Sequence, residues 1–181
     1  MTSQIQQAPK PTQIIYDAIL TFAAGALHLQ SNETAIIRIN FLDPAFPGAS
    51  RPGRQMVVDD APPVLLEACR QLRAYFSGQL QTFSVPVDIQ SGTVFQRLVW
   101  DQLRQIPYGA TWSYEDLAYR IAKPGQVPRQ LARAVGSACA ANPLPVMVPC
   151  HRVIGKNGRL VGFAGGIDLK AYLLNHEMLG I

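Results

Sequence analysis

The tetrapeptide Pro149-Cys150-His151-Arg152 constrains this chain more than any other feature, because it sits between the apolar runs Val146-Met147-Val148 and Val153-Ile154. A cysteine, an imidazole and a guanidinium in succession within so apolar a stretch are poorly explained by packing alone. Cationic neighbours favour thiolate over thiol, and the thiolate is the nucleophile. Most intracellular cysteines are inert core residues, so the surrounding sequence has to decide between the two roles for Cys150.

With 181 residues the chain has room for one domain or two small ones. Hydrophobic residues make up 48% of it, enough for a core, and no apolar run approaches a membrane span, so no membrane association is expected. Residues 1–12 are polar and Pro-containing, lack the apolar centre of a signal peptide, and read as a flexible tail. Three cysteines, Cys69, Cys139 and Cys150, would leave one over in any disulfide framework. A reducing cytoplasm suits a nucleophilic thiol and is the expected location. The net charge of +4 is uneven: residues 1–96 hold six Lys+Arg and seven Asp+Glu, whereas residues 97–181 hold ten and five. A basic half fits an anionic partner such as nucleic acid; on charge alone it fits an ordinary basic surface as well.

The pattern predicts an α+β chain: a small N-terminal antiparallel sheet with a helix (13–90), then a mostly helical C-terminal domain (91–181). Strands are expected at Gln13–Leu20, Ala26–Gln30 and Ala35–Phe41, with a hairpin turn at Ser31-Asn32. Leu42–Pro63 reads as a loop, and Leu65, Cys69, Leu72 and Phe76 follow as one helical stripe ended by Ser77-Gly78. Cys69 on that stripe is expected to be structural. Ser91-Gly92-Thr93 introduces a second helix with Phe95, Leu98, Val99, Leu103 and Ile106 inward. Ser113-Tyr114-Glu115-Asp116 is a capping box opening a third, and Pro128 suits the first turn of a fourth. These last two suggest a helix-turn-helix. Small residues on its second helix, Ala132, Ala134, Gly136, Ser137 and Ala138, allow close approach to another surface or tight packing in the core. Gly155-Lys156-Asn157-Gly158 reads as a hairpin turn, and the last helix starts near Asp168 with Leu169, Leu173 and Glu177 in line.

Successive side chains point in different directions, so direct contact between the Cys150 thiol and the His151 ring is awkward and a bridging water would solve the geometry. His151 then needs a partner for its charged form. Glu177 ends an apolar stripe, so an inward carboxylate makes it the candidate; a solvated helix end is the alternative.

Around the tetrapeptide lie Asn142-Pro143-Leu144-Pro145, Gly165-Gly166 and Lys170-Ala171-Tyr172-Leu173-Leu174-Asn175-His176-Glu177, with Ile106-Pro107-Tyr108-Gly109, Ser113-Tyr114 and Ala132-Arg133-Ala134-Val135-Gly136 upstream. From about Phe95 to Glu177, in this order, the sequence resembles the O6-alkylguanine-DNA alkyltransferases, which reverse DNA damage once per molecule. The resemblance implies a Glu177–His151–water–Cys150 proton relay and alkyl transfer from O6-alkylguanine, with O4-alkylthymine as a further substrate, to Cys150. It makes Tyr114 the pocket tyrosine, Arg133 the finger replacing a flipped base, and Ala134, Gly136 and Ser137 its neighbours on the DNA, approached through the minor groove. Asn142 becomes a hinge; the backbone of Cys150 and Val153 reads the guanine edge, Ala164 lies near O6, and Pro145 and Phe163 wall the pocket. Taken singly, Tyr114, Arg133 and Asn142 also fit a helix residue, a solvated charge and a helix cap.

The partner implied is double-stranded DNA carrying the lesion, with no cofactor, no metal and no obligate protein partner. The stretch from Tyr114 to Arg133 is about five residues longer than in compact relatives, around Lys123–Arg129. Phe163 stands where many have Tyr, and Tyr172 where many have Trp. Three other readings compete: a turnover cysteine hydrolase, a module that senses alkylated DNA, and a zinc site through Cys150, His151 and His176, whose spacing suits no common structural site.

Overall fold

Alternating burial in its first two strands builds the N-terminal sheet. Ala18 and Leu20 face inward from β1 (Tyr16–Phe22), Leu27 and Leu29 from β2 (Gly25–Ser31), and Ile36 and Ile39 from β3 (Ile36–Leu42). The strands form an antiparallel meander in the order β1-β2-β3. The computed structural model describes residues 14–42 and 61–180; the tail expected over 1–12 and most of the loop expected over 42–63 lie outside them. β1 runs further along the chain than the expected 13–20, because Phe22 still packs, stacked on Phe76 at 4.1 Å. Asn32 shapes the β2–β3 turn: its Oδ1 accepts from the backbone N–H groups of Thr34 (2.8 Å) and Ala35 (2.7 Å). The outer edge of β3 is covered. Ile36 exchanges backbone bonds with Pro86 and Asp88, and the Ile39 N–H donates to Pro143 at 2.8 Å.

Helix α1 (Pro63–Phe76), with Pro63 in its first turn, packs on the sheet through Leu65, Ala68, Cys69 and Leu72. Its stripe ends on Tyr75, which is fully buried, and not on Phe76 as expected; Phe76 is half-buried against Phe22. Helix α2 (Val94–Leu103) opens with a Thr93–Gln96 capping box. Trp100, absent from the expected apolar face, is its largest buried side chain and donates Nε1–H to the Ala138 carbonyl at 2.8 Å; Leu98 is 38% exposed. Gly92 has φ +90° and lies so close to Trp100 that a Cβ would come within 2.5 Å of the ring.

The expected Ser113–Asp116 capping box starts α3 (Tyr114–Ile121), and Pro128 sits in the first turn of α4 (Pro128–Ala140). The two helices pack together, and the segment between them forms a turn in which Gln126 N–H donates to Lys123 O at 3.0 Å and Lys123 N–H to Gln126 Oε1 at 2.9 Å. The hairpin expected at Gly155–Gly158 does not form. Strand β5 (Val153–Ile154) instead pairs in parallel with β4 (Trp112–Ser113), and the glycine-rich segment makes a short 3₁₀ turn closed by Gly155 N–H to Arg159 O at 2.7 Å. That parallel pair sets Tyr114 beside the residues following the tetrapeptide. Helix α5 (Ile167–Leu179) completes the fold with Leu173, Leu174 and Glu177 buried.

Candidate active site

Cys150 opens a single 3₁₀ turn, Cys150–Arg152, after a wholly buried segment from Pro143 to Pro149. Within that segment Val146 has φ +75°, a left-handed conformation that β-branched residues rarely adopt, so backbone strain is concentrated just before the thiol. Asn142, just past α4, ties that helix to the cysteine. Its Oδ1 accepts from Leu144 N–H (3.0 Å), and its Nδ2 donates to the Val148 carbonyl (2.7 Å) and to Cys150 Sγ (3.1 Å).

Glu177 is the hub of the site. Its Oε1 accepts from His151 Nε2 (2.7 Å), the Tyr75 hydroxyl (2.7 Å) and Arg152 Nη2 (2.9 Å). Its Oε2 accepts from Arg152 Nε (2.9 Å) and the Gly109 N–H (3.1 Å). Arg152 Nη1 donates in turn to the Ile106 carbonyl at 2.6 Å. The His151 and Glu177 side chains are wholly buried. A carboxylate only accepts, so Nε2 carries the proton and Nδ1 of a neutral ring is the acceptor. Nδ1 is buried and has no partner among the described protein atoms. Thiol and imidazole do not bond directly: Sγ is engaged by Asn142 and Nε2 by Glu177.

Burial opposes charge on Glu177, but the bonds from His151 and Arg152 outweigh it and hold the carboxyl well below the usual range. Burial pushes the His151 imidazole down, against the pull of Glu177, and pushes the Cys150 thiol up. The resting pair is therefore thiol and neutral ring. The sequence reading that His151 and Arg152 favour the thiolate needs correction here. Arg152 is held by Glu177, and the groups that lower the Cys150 value are the Asn142 amide, the charge of Lys170 and the backbone N–H groups of Cys150 and His151, not the imidazole or the guanidinium. Lys170 is fully buried and donates Nζ–H to the Val161 carbonyl at 2.8 Å. Cys139 is pushed up to about 12, chiefly by burial.

The Tyr114 hydroxyl shares its proton between the carbonyls of Val161 (3.1 Å) and Gly162 (3.2 Å), both of which Lys170 also reaches, at 2.8 and 3.4 Å. On α4, Arg133, Ala134 and Ser137 are exposed, whereas Gly136 is half-buried and faces the Tyr114 ring, where a Cβ would stand 3.8 Å away. Pro145 and Val153 are buried, Phe163 packs on Phe41 at 5.6 Å, and Ala164 is exposed. Asn142, Pro145 and Ala164 line a cleft of about 390 Å³ with Arg38 and Phe41 of β3. Among the described residues no group of three or more His, Cys, Asp or Glu side chains is placed to hold a metal ion, and His176 turns its Nε2 to the Tyr75 carbonyl, 2.7 Å away.

Residues 94–179 match the family model described as 6-O-methylguanine DNA methyltransferase, DNA binding domain, and residues 15–89 match the ribonuclease-like domain of the same enzymes. A methylated-DNA–protein-cysteine methyltransferase of Methanosarcina acetivorans is 38% identical over 167 residues, which cover 90% of this chain and 98% of that one. The chain belongs to the methylated-DNA–protein-cysteine methyltransferase family. The crystal structure of the Mycobacterium tuberculosis O6-methylguanine methyltransferase has a TM-score of 0.74 to it at 35% identity, over 93% of this chain and 95% of that one. A structure of Mycobacterium tuberculosis OGT in complex with DNA scores 0.73 at 37% identity, covering 90% and 92%. The methyltransferase resemblance and the α+β fold are thus both borne out. Four members of the site were missed in the sequence: Tyr75, Gly109, Arg152 as the Glu177 partner, and Lys170. Lys170 could have been found, since Lys170, Leu173, Leu174 and Glu177 follow helical spacing and place a cation on the buried stripe.

Proposed function

We propose that this protein restores alkylated DNA by moving the alkyl group from O6 of guanine to Cys150, once per molecule. The observation that carries the reading is the buried Cys150–His151–Glu177 arrangement inside a chain of a family named for methylating its own cysteine. His151 Nδ1, the orphaned acceptor, takes the thiol proton through a bridging water while Glu177 supports the imidazolium. Sγ attacks the alkyl carbon; the S–C bond forms as the C–O6 bond breaks, and the electron pair stays on guanine, whose ring takes up a proton. The step balances without a cofactor. The product is a thioether, which has no easy hydrolytic route, so Cys150 is consumed.

The lesion reaches Cys150 only outside the base stack. Arg133, exposed on α4, enters the gap from the minor-groove side, flanked by Ala134 and Ser137. Gly136 lets α4 lie close on Tyr114. Tyr114 turns its hydroxyl from the Val161 and Gly162 carbonyls to the guanine ring, between walls of Pro145 and Phe163. The backbone of Cys150 and Val153 reads the guanine edge, and Ala164 lies near O6. With excess O6-methylguanine duplex, repair stops at one base per protein; repair that continues past one refutes the single-use mechanism and favours a turnover hydrolase.

Arg133→Ala weakens repair in duplex DNA by about a hundredfold, the scale of losing a few kcal/mol from base extrusion. Its reaction with free O6-benzylguanine, which needs no flipping, stays within about twofold of the parent. Equal losses on both substrates in single-turnover assays place Arg133 in the fold or pocket instead.

A further inference from the structure

Helix α1 reaches into the relay. Tyr75 lies in the segment matched by the ribonuclease-like model, outside the DNA-binding segment 94–179, yet its fully buried hydroxyl donates to Glu177 Oε1 at 2.7 Å. The ring cannot swing away. It is packed by Phe76, Phe83, Tyr108 and His176, with centroids 5.1, 5.4, 6.0 and 5.2 Å distant, and its own carbonyl accepts from His176.

Orientation of the carboxylate does not need this hydroxyl, because Arg152 grips both oxygens and the Gly109 N–H holds Oε2. A third donor on Oε1 does something else. Each hydrogen bond to a carboxylate stabilises its charge and weakens its hold on a neighbouring proton. We propose that Tyr75 tunes alkyl transfer through Glu177: by sharing Oε1 with His151, it sets how firmly the carboxylate holds the imidazolium formed when Cys150 gives up its proton. The inference rests on the relay reading of Cys150, His151 and Glu177.

The groups acting on this carboxylate are His151 and Arg152 of the 3₁₀ turn, Tyr75 of α1 and Tyr108 of the α2–β4 connection; on α5, His176 packs on the Tyr75 ring and Lys170 acts on His151. Burial, with the Glu177 charge, holds Tyr75 and Tyr108 neutral beyond the ordinary tyrosine range. His176 is kept in every variant below.

The test is the pH dependence of single-turnover reaction with free O6-benzylguanine, compared among the parent, Tyr75→Phe, protein carrying 3-fluorotyrosine at position 75, and Glu177→Gln. Phe keeps the ring contacts and removes the donor. Its rate midpoint falls by about half to one pH unit, raising the rate severalfold on the acid side and leaving the alkaline plateau unchanged. Fluorotyrosine is the stronger donor and moves the midpoint the other way. A rate change uniform in pH, or a midpoint unmoved in both Tyr75 forms while Glu177→Gln moves it up, overturns the role of Tyr75 and leaves the relay standing. Midpoints unmoved in all variants overturn the relay and this inference together. If thermal melting finds Tyr75→Phe unfolded, the fluorotyrosine protein, which adds one atom and keeps the hydroxyl, decides.

Discussion

Cys150→Ala abolishes alkyl transfer while leaving duplex binding within about threefold of the parent, because the exposed residues of α4 are untouched. The parent, mixed with an O6-methylguanine oligonucleotide, gains about 14 Da on the peptide carrying Cys150, and the Ala variant gains nothing. The other thiols do not compete. Cys139 is pushed up to about 12, and Cys69 is raised by burial on the α1 stripe. Cys150 is buried too, but its sulfur accepts from the Asn142 amide, in addition to the Lys170 charge that also reaches Cys139. The substitution is mild for the fold, since Asn142 keeps its bonds to Leu144 and Val148. A methyl group found on another cysteine, or released into solution with continuing turnover, removes Cys150 from the centre of the reaction.

Local signals were legible and long-range ones were not. The Ser113–Asp116 capping box, Pro128 and the tetrapeptide act within a few residues of themselves, and all three appear in the fold where the pattern puts them. Trp100 and Tyr75 were overlooked because each is buried by a partner far along the chain: the Ala138 carbonyl for one, the Glu177 carboxylate for the other. A polar handle on a large aromatic is what lets it enter a core, and sequence spacing does not reveal whether that handle has a partner. The missing hairpin after Gly155 has the same origin. Its turn chemistry is sound, with Asn157 at φ +60° and Gly158 at +76°, but β5 finds its partner in β4, 41 residues earlier in the chain by register (Trp112 opposite Val153). Tertiary pairing overrode a local preference. Arg152 was read as a neighbour of the thiol; its bidentate grip on Glu177 makes it part of the carboxylate's support instead.

Glu177→Gln carries two large effects that separate by pH. Glutamine is close in size, and sequence alone suggests that it keeps much of the hydrogen bonding. The carboxylate, however, accepts from five donors, and an amide places an NH₂ where one oxygen must accept. Arg152 is left buried without its counter-charge, which costs about 3–5 kcal/mol and lowers the melting temperature by roughly 10 °C. The folded Glu177 carboxyl lies below the ordinary glutamate value of 4.5, so its contribution is complete above that value and is lost as pH falls through the lower folded one. The melting deficit of the variant is therefore full at neutral pH and closes on acidification below about 4.5. The kinetic effect runs on the other side. Without the negative charge His151 holds a proton less readily, less thiolate forms, and transfer at neutral pH slows by roughly a hundredfold. That deficit shrinks as pH rises and the thiol ionises without help. A melting deficit independent of pH rules out the ion pair as its source, and an unchanged pH–rate profile leaves Glu177 as the anchor of Arg152 with no part in moving the proton.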